Sequence, residues 1–219
     1  MLGKPVSVVL GYQYKGVDPA TGLFDYYTAG KQVTNNPAYG IVSQGGDEVP
    51  IGDREVKYMG GFGNTFSYKR LSLYVFFQFS SQTAPNWLST VYSSYIPGLM
   101  NNEPTAVANN YWKAPGDHTE LQRLISNYGS SALNAAADFG QSSGAYSDDT
   151  YVRLKTVALS YALPDKLIHK LHLRDCRLYV NAQNLFTLTN YKVSDPELFN
   201  DFTSFPIQRV VAFGLNLNL

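Results

Sequence analysis

The chain has 219 residues with 17 basic and 17 acidic side chains; that balance excludes a non-specific nucleic-acid binder, which needs a basic excess to displace counterions from phosphates. Its single cysteine, Cys176, excludes an intrachain disulfide and leaves the redox compartment open. No apolar run reaches the ~18 residues of a membrane-spanning helix, which leaves a barrel that crosses with strands as the membrane option.

In chain order, Val6 to Tyr14 is β-branched and tyrosine-rich and reads as a strand. From Lys15 to about Arg54 the pattern dissolves into glycine, proline, aspartate and asparagine. GVDPATG and NNPAYG carry turn chemistry there, so the stretch reads as a loop of about forty residues, far beyond the usual length. VKYMGGFGNTFSY and LSLYVFFQFSSQ then form a strand pair around Lys69-Arg70. Leu71, Leu73, Val75, Phe77 and Phe79 make one unbroken apolar row, opposed by Ser72, Tyr74, Phe76, Gln78 and Ser80. Gly60, Gly61 and Gly63 weaken the first of these strands or let it bend.

Thr83 to about Asp149 is the longest irregular region, with a short helix expected from Asn86 to Tyr95. Three alternating strands follow. In the first, Val157, Leu159, Tyr161 and Leu163 oppose Thr156, Ala158, Ser160 and Ala162. In the second, Leu178, Val180, Ala182, Phe186 and Leu188 oppose Arg177, Tyr179, Asn181, Gln183 and Thr187. In the third, Val211, Phe213, Leu215, Leu217 and Leu219 oppose Ala212, Gly214, Asn216 and Asn218. A basic turn from Asp165 to Arg174 joins the first two, and about twenty residues around Ser194-Asp195-Pro196-Glu197 separate the last two.

Each strand thus has a greasy face and a small or polar face. The connections run long, short, long, short, long, so six up-and-down strands would place every long loop on one side. The expected class is all-β: an antiparallel up-and-down transmembrane barrel segment. Charged residues at 16% and aromatics at 14%, with 17 tyrosines, fit a barrel with aromatic girdles. A soluble, tyrosine-rich, glycan-binding β-sandwich has a similar composition and is the alternative.

Candidate residues follow from parity. Tyr74, Gln78, Tyr179, Asn181, Gln183, Asn216 and Asn218 lie on the polar parity, where amides and phenols suit neutral sugars or peptides. Trp87 and Trp112 sit in the long irregular region, able to stack on a ligand or a cap, or to pack the loop. His169 and His172 have helical i, i+3 spacing, but the ligand set of a metal site is not read around them. Cys176 shares parity with Leu178 and Val180 and reads as a buried or lipid-facing small residue, without a positioned base. Asp138, Asp148 and Asp149 lack the spacing of a calcium loop. GVDPATG lacks the lysine of a phosphate loop, and Asp195 with Glu197 reads as a structural loop element. No catalytic residue, metal site or cofactor is expected.

SYKRLSLYVFFQ, YVRLKTVALSYALP, YVNAQNLFTLTNY, the DPE triplet and the closing FPIQRVVAFGLNLNL resemble the C-terminal part of SusC/RagA-type TonB-linked outer-membrane proteins. The opening GKPVSVVLGYQYKGVDPATG fits the same family. The resemblance implies a barrel of about 22 strands around an N-terminal plug, in outer-membrane lipid. It also implies import of oligosaccharides or peptides, driven by TonB and capped by a SusD-like lipoprotein. Residues 1–219 are expected to be the C-terminal part of such a barrel, holding about six strands and no plug domain, signal peptide or TonB box. Six strands cannot close a lumen of that size, so autonomous transport is not expected.

Overall fold

The computed structural model describes residues 3–99, 102–192, 195–198 and 205–218; Ser194 and Leu219, placed above in a loop and in the last strand, lie outside them. The chain opens with strands β1 (Val8–Gly11), β2 (Gln13–Val17), β3 (Phe24–Tyr27), β4 (Val33–Thr34) and β5 (Val49–Asp53). A long hairpin follows, β6 (Tyr58–Tyr68) and β7 (Leu71–Ser81). Next come β8 (Thr83–Pro85), helix α1 (Trp87–Thr90) with a π turn over Val91–Tyr95, α2 (Thr105–Ala108), α3 (Ser131–Phe139) and β9 (Tyr146–Asp148). The chain then gives β10 (Tyr151–Ala162), α4 (Asp165–Lys170), β11 (Asp175–Thr189) and β12 (Val210–Asn218). It divides into two compact units.

One unit, made of Val56–Ser81, Asp149–Asn190 and Ser204–Leu219, is a single antiparallel sheet in the order β12-β11-β10-β7-β6. The alternation read from sequence sets its register, because a one-residue slip would turn every apolar side chain over. Leu159 lies opposite Leu73 on one side and Val180 on the other, and Val180 in turn opposes Phe213. One row over, Val157 lies between Val75 and Ala182.

A bulge keeps that face continuous. Val152 and Leu154 have the opposite parity to Val157, yet they pair with Phe79 and Phe77 of the same apolar row. The register shift at Lys155 accomplishes this, one extra residue reversing which way the following side chains point. The weak glycine strand is filled from its neighbour. A Cβ at Gly61 would lie 2.5 Å from the Phe76 ring, and one at Gly60 2.8 Å from Phe79, so rings of β7 lie across the bare backbone of β6.

The short connections share one end of the sheet. Lys69 and Arg70 turn β6 into β7, and the Ala162 amide donates to the Arg70 carbonyl at 2.9 Å. Arg70 also donates to the Leu163 carbonyl and to the Asp165 carboxylate, the latter at 2.7 Å. The expected basic turn is partly helical: Pro164, with its preset backbone angle, stands as the N-cap of α4. At the other end the connections are long: residues 82–150 lie between β7 and β10, and residues 190–209 between β11 and β12.

The other unit is Met1–Glu55, Gln82–Asp148 and Tyr191–Thr203. Here the reading of long, patternless loops is corrected. These stretches carry most of the buried core: Tyr12, Phe24, Tyr26, Val91, Val107, Leu121, Ala135 and Phe139 are each at most 2% exposed. Phe24 stacks on Phe139 at 4.6 Å, with Tyr14 and Tyr92 edge-on or tilted against the pair. Small residues Ala132, Ala135 and Ala136 let α3 approach β3 closely enough for the Tyr26 hydroxyl to donate to the Ala135 carbonyl at 2.5 Å. Buried Gln122 completes the join, donating to the Ala132 carbonyl and accepting from the Phe24 amide.

The Val6–Tyr14 strand is corrected as well. Its residues divide between two small sheets, β1 with β5 and β2 with β3 and β4, so the large sheet holds five described strands. A Cβ at Gly11 would lie 1.9 Å from the Gln141 carbonyl oxygen. The backbone of a distant segment crosses there, and the Tyr12 amide donates to that carbonyl at 2.9 Å. A continuous strand in a sheet has no room for such a crossing.

Burial pushes the Asp138 carboxyl up to about 6. Because the folded value exceeds the unfolded one, the stability this group permits is fully present below about pH 4 and is lost as pH rises through 6. Asp138→Asn should therefore match the parent at pH 4 and exceed it by about 1–2 kcal/mol at pH 8, after discounting for its partial exposure. Urea titrations at the two pH values check this; equal stability at pH 8 contradicts it.

Candidate functional site

The pairings place all seven polar candidates on one face of the large sheet. Tyr74 and Asn181 flank Ala158 from opposite sides. Gln183 opposes Thr156 and Tyr179 opposes Ser160. Gln78 opposes Arg153; Asn216 and Asn218 oppose Arg177 and Asp175. Two-residue periodicity then gives the shared face, with the Lys155 bulge preserving it on both sides.

Tyr179 is held in a particular way. A Cβ at Gly214 would lie 2.0 Å from its ring, so the phenol lies down across β12 with 37% of the residue still exposed. Tyr74 is 38% exposed on the same face. Gln78 donates to the Tyr151 hydroxyl at 3.2 Å. These rings and amides offer stacking and hydrogen bonding without a nucleophile–base pair among them.

Parity reading missed Tyr151 and Arg153. Arg153 is 1% exposed and its guanidinium lies 5.8 Å from the Tyr151 ring centre. The bulge hid it: counted from Val157, its parity belongs to the apolar row. The available signal was the phase break between Val152/Leu154 and Val157.

The opposite face is apolar and open. Phe62 is 62% exposed, Leu188 63% and Phe213 78%. Cys176 is buried on that face opposite Leu217, a small packed residue as its parity suggested.

The tryptophans lie in the other unit. Trp87 packs against the aromatic core. Trp112 donates its indole N–H to the Pro19 carbonyl at 2.9 Å, and its ring covers Gly22. Gly22 sits at φ +70, a left-handed turn that favours glycine. GVDPATG is a self-capped turn: the Asp18 carboxylate accepts from the amides of Ala20 and Thr21 and from the Thr21 hydroxyl. Those bonds, the hydroxyl's foremost, hold Asp18 below the usual carboxylate range. Among the described residues no group of three or more His, Cys, Asp or Glu is placed to hold a metal. His169 lies in α4, while His172 has φ 56 beyond its end.

No protein-family model matches the chain. It is 28% identical to TonB-dependent receptor P3 of Formosa agariphila over 98% of its own length and 22% of the receptor's. It is 25% identical to TonB-dependent receptor P26 of the same organism, over 99% of this chain and 23% of that one. The chain thus spans under a quarter of the length of these curated relatives. By fold it is similar to a chain of the RagAB peptide transporter, with a TM-score of 0.72 and 24% identity over 97% of this chain and 23% of that one. A chain of the RagAB peptide importer in its open-open state aligns with a TM-score of 0.70 and 24% identity over 96% and 22% of the two chains. Both comparisons point the way the motifs did: in sequence the chain is similar to TonB-dependent receptors, and in fold to a chain of the RagAB transporter.

Proposed function

We propose that the large sheet is a wall segment of an outer-membrane nutrient importer, its apolar face against lipid and its polar face toward the lumen. The carrying observation is the placement of tyrosines on the apolar face. Tyr58 stands at one end of β6; Tyr68 and, through Leu71, Tyr161 stand at the other. All three are more than 40% exposed. Ten residue steps separate Tyr58 from Tyr68, about 33 Å along a strand; at the usual tilt of about 40° that is about 25 Å along the membrane normal, the height of a barrel's apolar band. Aromatic girdles belong at the edges of such a band. The same exposed rows argue against a soluble β-sandwich, whose inner faces bury one another.

On this reading Tyr74, Gln78, Tyr179, Asn181, Gln183, Asn216 and Asn218 line the path of a nutrient oligomer, peptide or glycan. Trp87 and Trp112 pack within the other unit, which on this reading is where a SusD-like lipoprotein would bind. β6 and β12 end the sheet, and unpaired edges in lipid cost several kcal/mol per group. The segment therefore works with the rest of a barrel, its plug and TonB, and does not transport alone. The test is solvent: the purified chain should hold its β structure in detergent or vesicles and aggregate in plain buffer. A folded monomer in plain buffer sinks the proposal.

A further inference from the structure

The balanced net charge conceals an asymmetry. Residues 69–70 and 165–177, which make and flank the short connections, hold six of the 17 basic and two of the 17 acidic side chains. The rest of the chain is correspondingly acidic. Of the two acids, Asp165 is bound to Arg70 and Asp175 lies exposed beside Arg174. Lys69, Lys166, Lys170, Arg174 and Arg177 are all exposed.

α4 adds a second feature. It buries Ile168 but leaves Leu167 46% exposed, and Leu171, its C-cap residue, is 56% exposed. These leucines stand four apart, one helical turn, beside Lys166 and Lys170 with the same spacing. An apolar pair flanked by lysines is the pattern of a helix lying in a lipid interface, leucines in the acyl boundary and ammonium groups among the phosphates. The Arg70–Asp165 bridge and the bond from the Arg174 amide to the Asn218 carbonyl at 2.8 Å fix the segment to the sheet's end. Tyr68 and Tyr161 mark that same end as an interface.

We propose that α4 and its flanking turn form a docking site for the headgroups of anionic phospholipids, with Lys166, Lys170 and Arg174 meeting the phosphates and Leu167 and Leu171 anchoring below them. This rests on the sheet's residence in a membrane. The exposed leucines favour a lipid surface over an acidic polypeptide, which would meet the charges without burying the leucines.

The test compares the full chain with vesicles of phosphatidylcholine alone and of phosphatidylcholine mixed with phosphatidylglycerol. The parent should partition more strongly into the mixed vesicles, and raised salt should shrink the difference. Lys166→Gln/Lys170→Gln/Arg174→Gln should abolish the preference, a loss of about tenfold to a hundredfold in partitioning, while keeping the parent's binding to phosphatidylcholine and its circular dichroism. Leu167→Ser/Leu171→Ser should weaken binding to both vesicles. Equal partitioning of the parent, or a triple variant that keeps its preference, overturns the inference while leaving the membrane reading standing. Failure of the parent to enter either vesicle overturns both. Polyglutamate binding the parent in the absence of lipid as tightly as mixed vesicles do reassigns the site to an acidic polypeptide.

Discussion

Phe139→Ala should unfold the aromatic core of the loop unit. Phe139 is fully buried, stacked on Phe24 at 4.6 Å and within 5.3 Å of the Tyr14 and Tyr92 ring centres. Truncating such a ring costs about 3–5 kcal/mol in transfer and cavity energy, and ring pairs add about 0.5–1.5 kcal/mol each without summing simply. A small domain holds only about 5–15 kcal/mol in total, so the loss is comparable to the whole. Hydrogen exchange checks this at Phe24–Tyr27, the strand beneath the ring: protection there should fall by at least about a hundredfold in the variant. Phe139→Leu, which keeps most of the volume, should lose much less. Unchanged protection in Phe139→Ala would mean that the cluster is not what holds this unit together.

The contrast between the units shows what a sequence exposes. In the sheet, each strand meets two different environments on its two faces, so period-two alternation is written into LSLYVFFQFS and VAFGLNLN for anyone to read. The loop unit buries its residues by tertiary approach. Phe24 and Phe139 stack across more than a hundred residues of chain, and Ala132, Ala135 and Ala136 form a helix face too small to register as a hydrophobic stripe. Val6–Tyr14 looks like one strand because local propensity cannot show that the Gln141 carbonyl presses on Gly11. The same logic governs the candidate site. Tyr74, Asn181 and Asn216 were legible by parity, whereas Arg153 was hidden by one bulged residue, Lys155, whose only trace in the sequence is the phase break between Val152/Leu154 and Val157. The weight of Tyr179 on Gly214 was equally unreadable, since it depends on which glycine the register sets beside it.

Val157→Arg and Ser160→Arg should behave as opposites although they lie three residues apart on β10. Val157 sits near the middle of the apolar face, between Val75 and Ala182. Ser160 points the other way, between Ser72 and Tyr179. An arginine facing lipid at mid-depth costs about 2–4 kcal/mol, a shift of about thirtyfold to a thousandfold in the folding equilibrium. One facing a wet lumen keeps its hydration and should cost less than about 1 kcal/mol, a surface-like change. Urea titration of both variants in phospholipid vesicles measures the difference. The comparison is internal: both substitutions place the same charged side chain on the same strand, so the shared effects of that charge on assembly cancel and facing is the main difference. If Ser160→Arg is the more damaging, the oily and wet faces are exchanged; if both are mild, the apolar face does not touch lipid.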